Sequence, residues 1–134
     1  MLLGKEDILK IQDLQFEEVE VPEWGGKVKV RMMTGTERDS FEQSIMKTEG
    51  KEIVRDMANM RAKLLVRTIC NEDGSRIFTD KDINVIGGKS AAALEKVFEV
   101  AQRLNKLSAS DAESLEKNSE SEGKDSSISL SPKN

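Results

Sequence analysis

The stretch 19–31, Val-Glu-Val-Pro-Glu-Trp-Gly-Gly-Lys-Val-Lys-Val-Arg, carries a period-two alternation on both sides of a turn sequence. Val19 and Val21 alternate with Glu18 and Glu20; Val28, Val30 and Met32 alternate with Lys27, Lys29 and Arg31. This is the writing of a β-hairpin with one buried face. With Gly25-Gly26 as a two-residue turn, Val21 faces Val30, Val19 faces Met32 and Glu20 faces Arg31. That register pairs apolar with apolar and acid with base, as cross-strand energetics favour. The turn also holds the only tryptophan of the chain, Trp24.

A chain of 134 residues has room for one modest domain, and 37% hydrophobic content with 34% charge implies a soluble protein with a small aliphatic core. The net charge of −4 opposes broad nucleic-acid affinity, which needs a cationic surface. No basic region followed by an apolar run opens the sequence, so no secretion signal is expected. Nothing approaches the roughly 20 apolar residues of a membrane span.

Chemistry finds little to work with. The chain has no histidine, the usual general base near neutral pH and the commonest transition-metal ligand. Its one cysteine, Cys70, closes no internal disulfide and makes no zinc site; at the end of an apolar run it reads as a small packed hydrophobe. The acidic pairs Asp80/Asp82 and Glu72/Asp73 sit beside turns or helix starts, where carboxylates act as caps and dipole partners. Asn71-Glu72-Asp73-Gly74 lacks the oxygen-ligand alternation and closing glutamate of a calcium loop and reads as a turn. Gly87-Gly88-Lys89-Ser90 looks like part of a phosphate loop, but Ile83 stands where that loop needs its first glycine. No catalytic residue, cofactor or metal is expected.

Along the chain, residues 5–14 read as a short helix offering Ile8, Leu9 and Ile11 for packing. After the hairpin, Thr34 with Glu37 and Thr36 with Asp39 give overlapping capping boxes for a helix to about Lys47, with Phe41 and Ile45 on one face. Thr48-Glu49-Gly50 ends it. The spacing then predicts one long helix over about 52–70, with Ile53, Met57, Met60 and Leu64 in one apolar row and Val54, Ala58, Leu65 and Ile69 in the next. Arg55, Asn59, Lys63 and Arg67 would form its solvated face. Ile77-Phe78 suits a short extended segment, and Thr79 with Asp82 caps a brief helix ended by Gly87-Gly88. Ser90 opens the cleanest amphipathic helix, to Lys106, roughly 25 Å long at the standard rise. Its apolar face is Leu94, Val97, Phe98, Ala101 and Leu104, and Glu99 is spaced to pair with Arg103. Ser110 and Glu113 begin a weaker helix to about Asn118. Residues 119–134, serine-rich and without apolar periodicity, read as a disordered tail.

The hairpin string at 19–31, continued by Met33-Thr34-Gly35-Thr36-Glu37-Arg38-Asp39-Ser40-Phe41-Glu42, resembles a tail assembly chaperone family of long-tailed bacteriophages and prophages. Ile77–Asp82, Leu94–Asn105 and Leu115–Asn118 extend the resemblance in order over about 5–118. It implies a non-enzymatic assembly factor in the bacterial host cytoplasm. Such chaperones coat the tape measure protein and keep it soluble, hand over to tail tube protein subunits, and are absent from the finished virion. In many phages a programmed frameshift also makes a longer fusion; residues 119–134 would then be the short form's own ending.

The expected fold is α+β: an N-terminal β-hairpin packed on a bundle of four to five helices (residues 1–118), followed by the tail. The apolar residues expected to meet a protein partner are Trp24, Gly25 and Gly26 at the turn, Met57 and Met60 on the long helix, and Phe98. The adaptable thioethers suit a surface that takes varied amphipathic helices, with core filling as the alternative. The hairpin's edges offer a route to self-association. Competing readings are a small DNA-binding regulator and a minor structural tail protein.

Overall fold

The computed structural model describes residues 1–107. Val19 and Val21 enter the core, as their alternation requires, but the hairpin of β1 (Phe16–Val21) and β2 (Gly26–Arg31) closes around four residues rather than two. Pro22, with fixed φ and no N–H to give a ladder, starts a 3-10 turn over Pro22–Trp24. Gly25, at φ 77°, closes it by donating its N–H to the Pro22 carbonyl at 3.0 Å. Val21 therefore pairs with Gly26, Glu20 with Lys27, Val19 with Val28 and Glu18 with Lys29. Each partner lies four residues from the one expected. Because that shift is even, every side chain keeps its face.

Helix α1 (Lys5–Lys10) precedes the hairpin, and α2 (Gly35–Ser44), β3 (Met46–Glu49), β4 (Glu52–Arg55), α3 (Met60–Thr68), β5 (Ile69–Cys70), α4 (Ile83–Gly87) and α5 (Ala91–Leu104) follow. β5 pairs antiparallel with β2 through Lys29–Cys70 and Val30–Ile69, giving a sheet in the order β1-β2-β5. α5 lies across the inner face of β1 and β2, and α3 packs against α5. Val19, Val21, Val30, Leu64, Leu65, Val66, Val97 and Ala101 are sealed between these layers with Phe41, Ile45, Ile86 and Phe98. The mixed α+β class, with antiparallel strands packed on helices, is as the sequence implies.

Helix starts follow their capping residues. The Thr34 hydroxyl accepts from the Glu37 N–H at 3.1 Å while the Glu37 carboxylate accepts from the Thr34 N–H at 2.9 Å. Thr79 and Asp82 repeat the motif ahead of α4, and the Ser90 hydroxyl accepts from Ala93 N–H at the start of α5.

The helix expected over 52–70 is two elements. β3 and β4 form a hairpin, with Thr48 opposite Ile53 and Lys47 opposite Val54, turned by Gly50 at φ 64°. The β-branched neighbours Ile53-Val54 and a glycine in the left-handed region favour this local reversal over the first helical turns. α3 begins only after Asn59, itself left-handed at φ 57°. Cys70 is correspondingly a strand residue, and burial pushes its thiol pKa up.

The basic row on α3 is not a solvated face. Arg67 is 2% exposed and donates to the Lys63 carbonyl at 2.7 Å and the Ser40 hydroxyl at 3.1 Å, with Asp80 at 3.5 Å. Desolvation pushes its pKa down, and its Nε has no partner. Lys63 donates to the Ser44 carbonyl at 2.8 Å. These cations hold α2, α3 and the Asp80 turn together. On α5, Arg103 takes Glu17 of β1 at 2.9 Å through both terminal nitrogens rather than Glu99. A strand carboxylate in range of both prongs outbids a helical neighbour that can meet only one.

Asn71–Gly74 is a turn as read, with Gly74 at φ 91° and its N–H donating to the Asn71 carbonyl at 2.9 Å. Among the described residues no helix is long and apolar enough to cross a membrane. The helix expected at Ser110–Asn118 and the tail at 119–134 lie outside the described residues.

Candidate functional site

The hairpin turn sits over a groove. Trp24 from the turn and Val28 from β2 form one wall; Ile69 of β5, Ile77 and Phe78 of the connecting loop, and Ile86 with Lys89 complete a cavity of about 430 Å³. Lys89 is the one charged residue of that lining. Trp24 is half-buried, with part of its ring against the core and part on the groove. The turn is fixed from below: Glu23 accepts from Lys96 of α5 at 2.6 Å, and that bond draws the Glu23 pKa down. The 3-10 turn, the partly buried Trp24 and this exposed ion pair together set the rim of the groove.

Gly25 and Gly26 complete the turn, and a Cβ at either would meet nothing within 4 Å. Gly25 is required by its positive φ; neither glycine is required by crowding. Met57 and Met60 lie together at the head of α3, partly buried against the core. Phe98 is 6% exposed, inside the core, with the Arg61 guanidinium 5.4 Å from its ring centroid. The structure thus gathers Trp24, Gly25 and Gly26 into one turn, sets the two methionines at another point, and puts Phe98 in the core.

A second apolar feature is α1. It buries no residue: Ile8, Leu9 and Ile11 are all exposed, Leu9 at 71%, and Met1, Leu2 and Leu3 extend the same surface. The sequence offered Ile8, Leu9 and Ile11 for packing, and none of the three is buried in the described residues. Where the arm rejoins the body, Ile11 and Leu14 meet Met32 and Met33 in a second hollow of about 360 Å³. The β3–β4 hairpin adds Ile53, 71% exposed. The lining from Ile77, Phe78 and Ile86 was not singled out in the sequence, because it converges from a loop and a short helix with no common period.

Among the described residues no three His, Cys, Asp or Glu side chains are grouped as metal ligands. What the geometry offers is apolar surface of two kinds, a groove and an arm.

These features define a small α+β domain with uncovered apolar surface. The family model for phage tail assembly chaperones matches residues 9–118, and the chain belongs to that family. The fold is also similar to the structure of the bacteriophage HK97 tail assembly chaperone, with a TM-score of 0.52 and 18% sequence identity, over 71% of this chain and 85% of that one. No protein of curated function matches the sequence significantly.

Proposed function

We propose that this chaperone binds the tape measure protein during tail morphogenesis in the host cytoplasm, keeps it soluble, and gives way to tail tube protein subunits without entering the mature virion. The observation that carries the reading is α1 and the residues before it, an apolar arm that buries no side chain among the described residues. A tape measure protein is a long chain of amphipathic helices, and uncovered apolar helix and groove surfaces are what such helices dock on. We assign the contact to the Trp24-Gly25-Gly26 turn with its groove and to Met57 and Met60, with Phe98 supporting from the core. Self-association belongs to the same proposal, the arm of one copy entering the groove of the next along the rod. A longer frameshifted form would carry the handover to the tail tube beyond the shared domain.

Co-expression tests it. The tape measure protein should move from the pellet to the soluble fraction with this chain and stay in the pellet with a Leu9→Asp variant. Unchanged solubility with the wild-type chain would overturn the reading, as would abundant copies of this protein in purified particles by mass spectrometry.

A further inference from the structure

Strand β1 is the outer strand of its sheet, and its free edge has a definite chemistry. The Met32 N–H donates to the Gln15 carbonyl at 3.0 Å while the Gln15 N–H turns to the Met32 sulfur at 3.2 Å, so one bond just beyond the ladder sets its phase. Bonded pairs alternate in an antiparallel sheet, which assigns Glu17, Val19 and Val21 to β2 and turns the N–H and C=O groups of Phe16, Glu18 and Glu20 outward. No other backbone group among the described residues pairs with them.

The side chains of those three residues share the outer face. On its inner edge β1 meets Lys27 opposite Glu20, Lys29 opposite Glu18 and Arg31 opposite Phe16. Those cations are engaged: Lys27 with Glu18 at 3.1 Å, Lys29 with the Glu72 carbonyl at 2.9 Å and the Phe16 ring at 4.7 Å, Arg31 with Glu37. Glu20 forms no salt bridge among the described residues, and Phe16 is exposed. The outer edge thus repeats the row of acid, acid and aromatic ring that the inner edge has already matched with a basic strand.

We propose that the β1 edge is a strand-addition site for an extended segment in which Lys or Arg alternates with apolar residues, in the pattern of Lys27–Arg31 itself. A second copy's β1 does not fit, since antiparallel pairing about Glu18 sets glutamate against glutamate. A second copy's β2 is not available either, because β1 holds one edge along its whole length and β5 takes Lys29 and Val30 on the other. The row Glu20, Glu18 and Phe16, matched on its inner side by Lys27, Lys29 and Arg31, selects a basic, extended segment of another protein as the occupant. This site is separate from the groove and the arm, and it stands or falls independently of the tape measure reading.

The probe is the peptide Ac-Lys-Val-Lys-Val-Arg-NH2, titrated into the full chain while backbone amide shifts are followed by NMR. Strand addition moves the amides of Phe16, Glu18 and Glu20. N-methylation of the two lysines, whose N–H groups would face β1, abolishes this; N-methylation of the two valines leaves it intact. A Glu18→Lys/Glu20→Lys variant, shown folded by circular dichroism, binds about tenfold or more weakly. Shifts that survive lysine methylation would mean ionic attraction without a strand. Loss on valine methylation would mean that the peptide displaces β2. Either result, or no shift at the three amides, overturns the proposal.

Discussion

Arg31 and Glu37 meet through two parallel hydrogen bonds, Nη1 to Oε1 at 2.8 Å and Nη2 to Oε2 at 2.9 Å, and this joint ties the end of β2 to the first turn of α2. The same carboxylate closes the capping box by accepting from the Thr34 N–H. Arg31 is 4% exposed, so its charge has little water to fall back on. Glu37→Gln keeps the side chain's shape but leaves that guanidinium without a counter-charge, and should destabilise the fold by about 3 kcal/mol in urea unfolding. Thr34→Ala, which removes only the cap, should cost about 1 kcal/mol.

The same pair sets an acid response. The Arg31 guanidinium holds the Glu37 carboxyl at about 2, against an ordinary 4.5. A carboxylate whose folded pKa is depressed stabilises the fold fully above its unfolded pKa, because only the unfolded state takes up a proton in the interval between the two values. Wild-type stability should therefore decline as pH falls from about 4.5 towards 2, and the gap between wild type and Glu37→Gln should narrow over the same range. Melting temperatures of both proteins against pH read this directly, and a gap that widens with acid would contradict it.

Asn105, just beyond α5, accepts from the Met33 N–H at 2.7 Å and donates to the Ala101 carbonyl at 2.9 Å, all of it buried. Asn105→Ala would orphan the Met33 amide and free the end of α5 from β2. The expected loss is about 2 kcal/mol, measured by chemical unfolding. Hydrogen exchange at the Met33 amide should accelerate in parallel.

Gly87 closes α4 against the loop before α3. A Cβ there would lie 2.6 Å from the Asn59 side-chain oxygen, which belongs to a residue held left-handed and hydrogen-bonded through its Nδ2 to Asn84 at 3.2 Å. Gly87→Ala should cost on the order of 1 kcal/mol despite alanine's better helix propensity. Asn59→Gly keeps the positive φ and removes the obstructing oxygen, so the double variant should be more stable than the sum of the two single changes predicts.

Separating stability from binding is possible at α1. Ile8→Asp with Leu9→Asp alters residues that stand 57% and 71% exposed among the described residues, so unfolding free energy should stay within about 0.5 kcal/mol of wild type. Solubilisation of the tape measure protein should be lost. A large drop in stability instead would mean that the arm folds back on the body.

The sequence made some of this legible and hid the rest for identifiable reasons. The faces of β1 and β2 were readable because period two is a local property, and Thr34, Thr79 and Ser90 were readable because a cap is written within four residues. The hairpin register was not, because Pro22 and Gly25 together favoured a four-residue turn over the glycine pair. Helix 52–70 failed at Ile53, where helical spacing was satisfied by residues whose branching and neighbouring Gly50 suited a strand. Arg67 looked solvated because nothing local tells that Ser40 and Asp80, from elsewhere in the chain, will enclose it. Of the groove lining, the Trp24 turn could be found from its sequence. The opposite wall at Ile77, Phe78 and Ile86 exists only once the chain is folded.

The position of Trp24 has a practical corollary. A chain with a single indole and no tyrosine has one dominant near-ultraviolet emitter, and here it stands half-wet at the mouth of the groove. Anything seated there must alter the water around that ring, so the emission wavelength of the unlabelled protein is itself a titratable signal for occupancy.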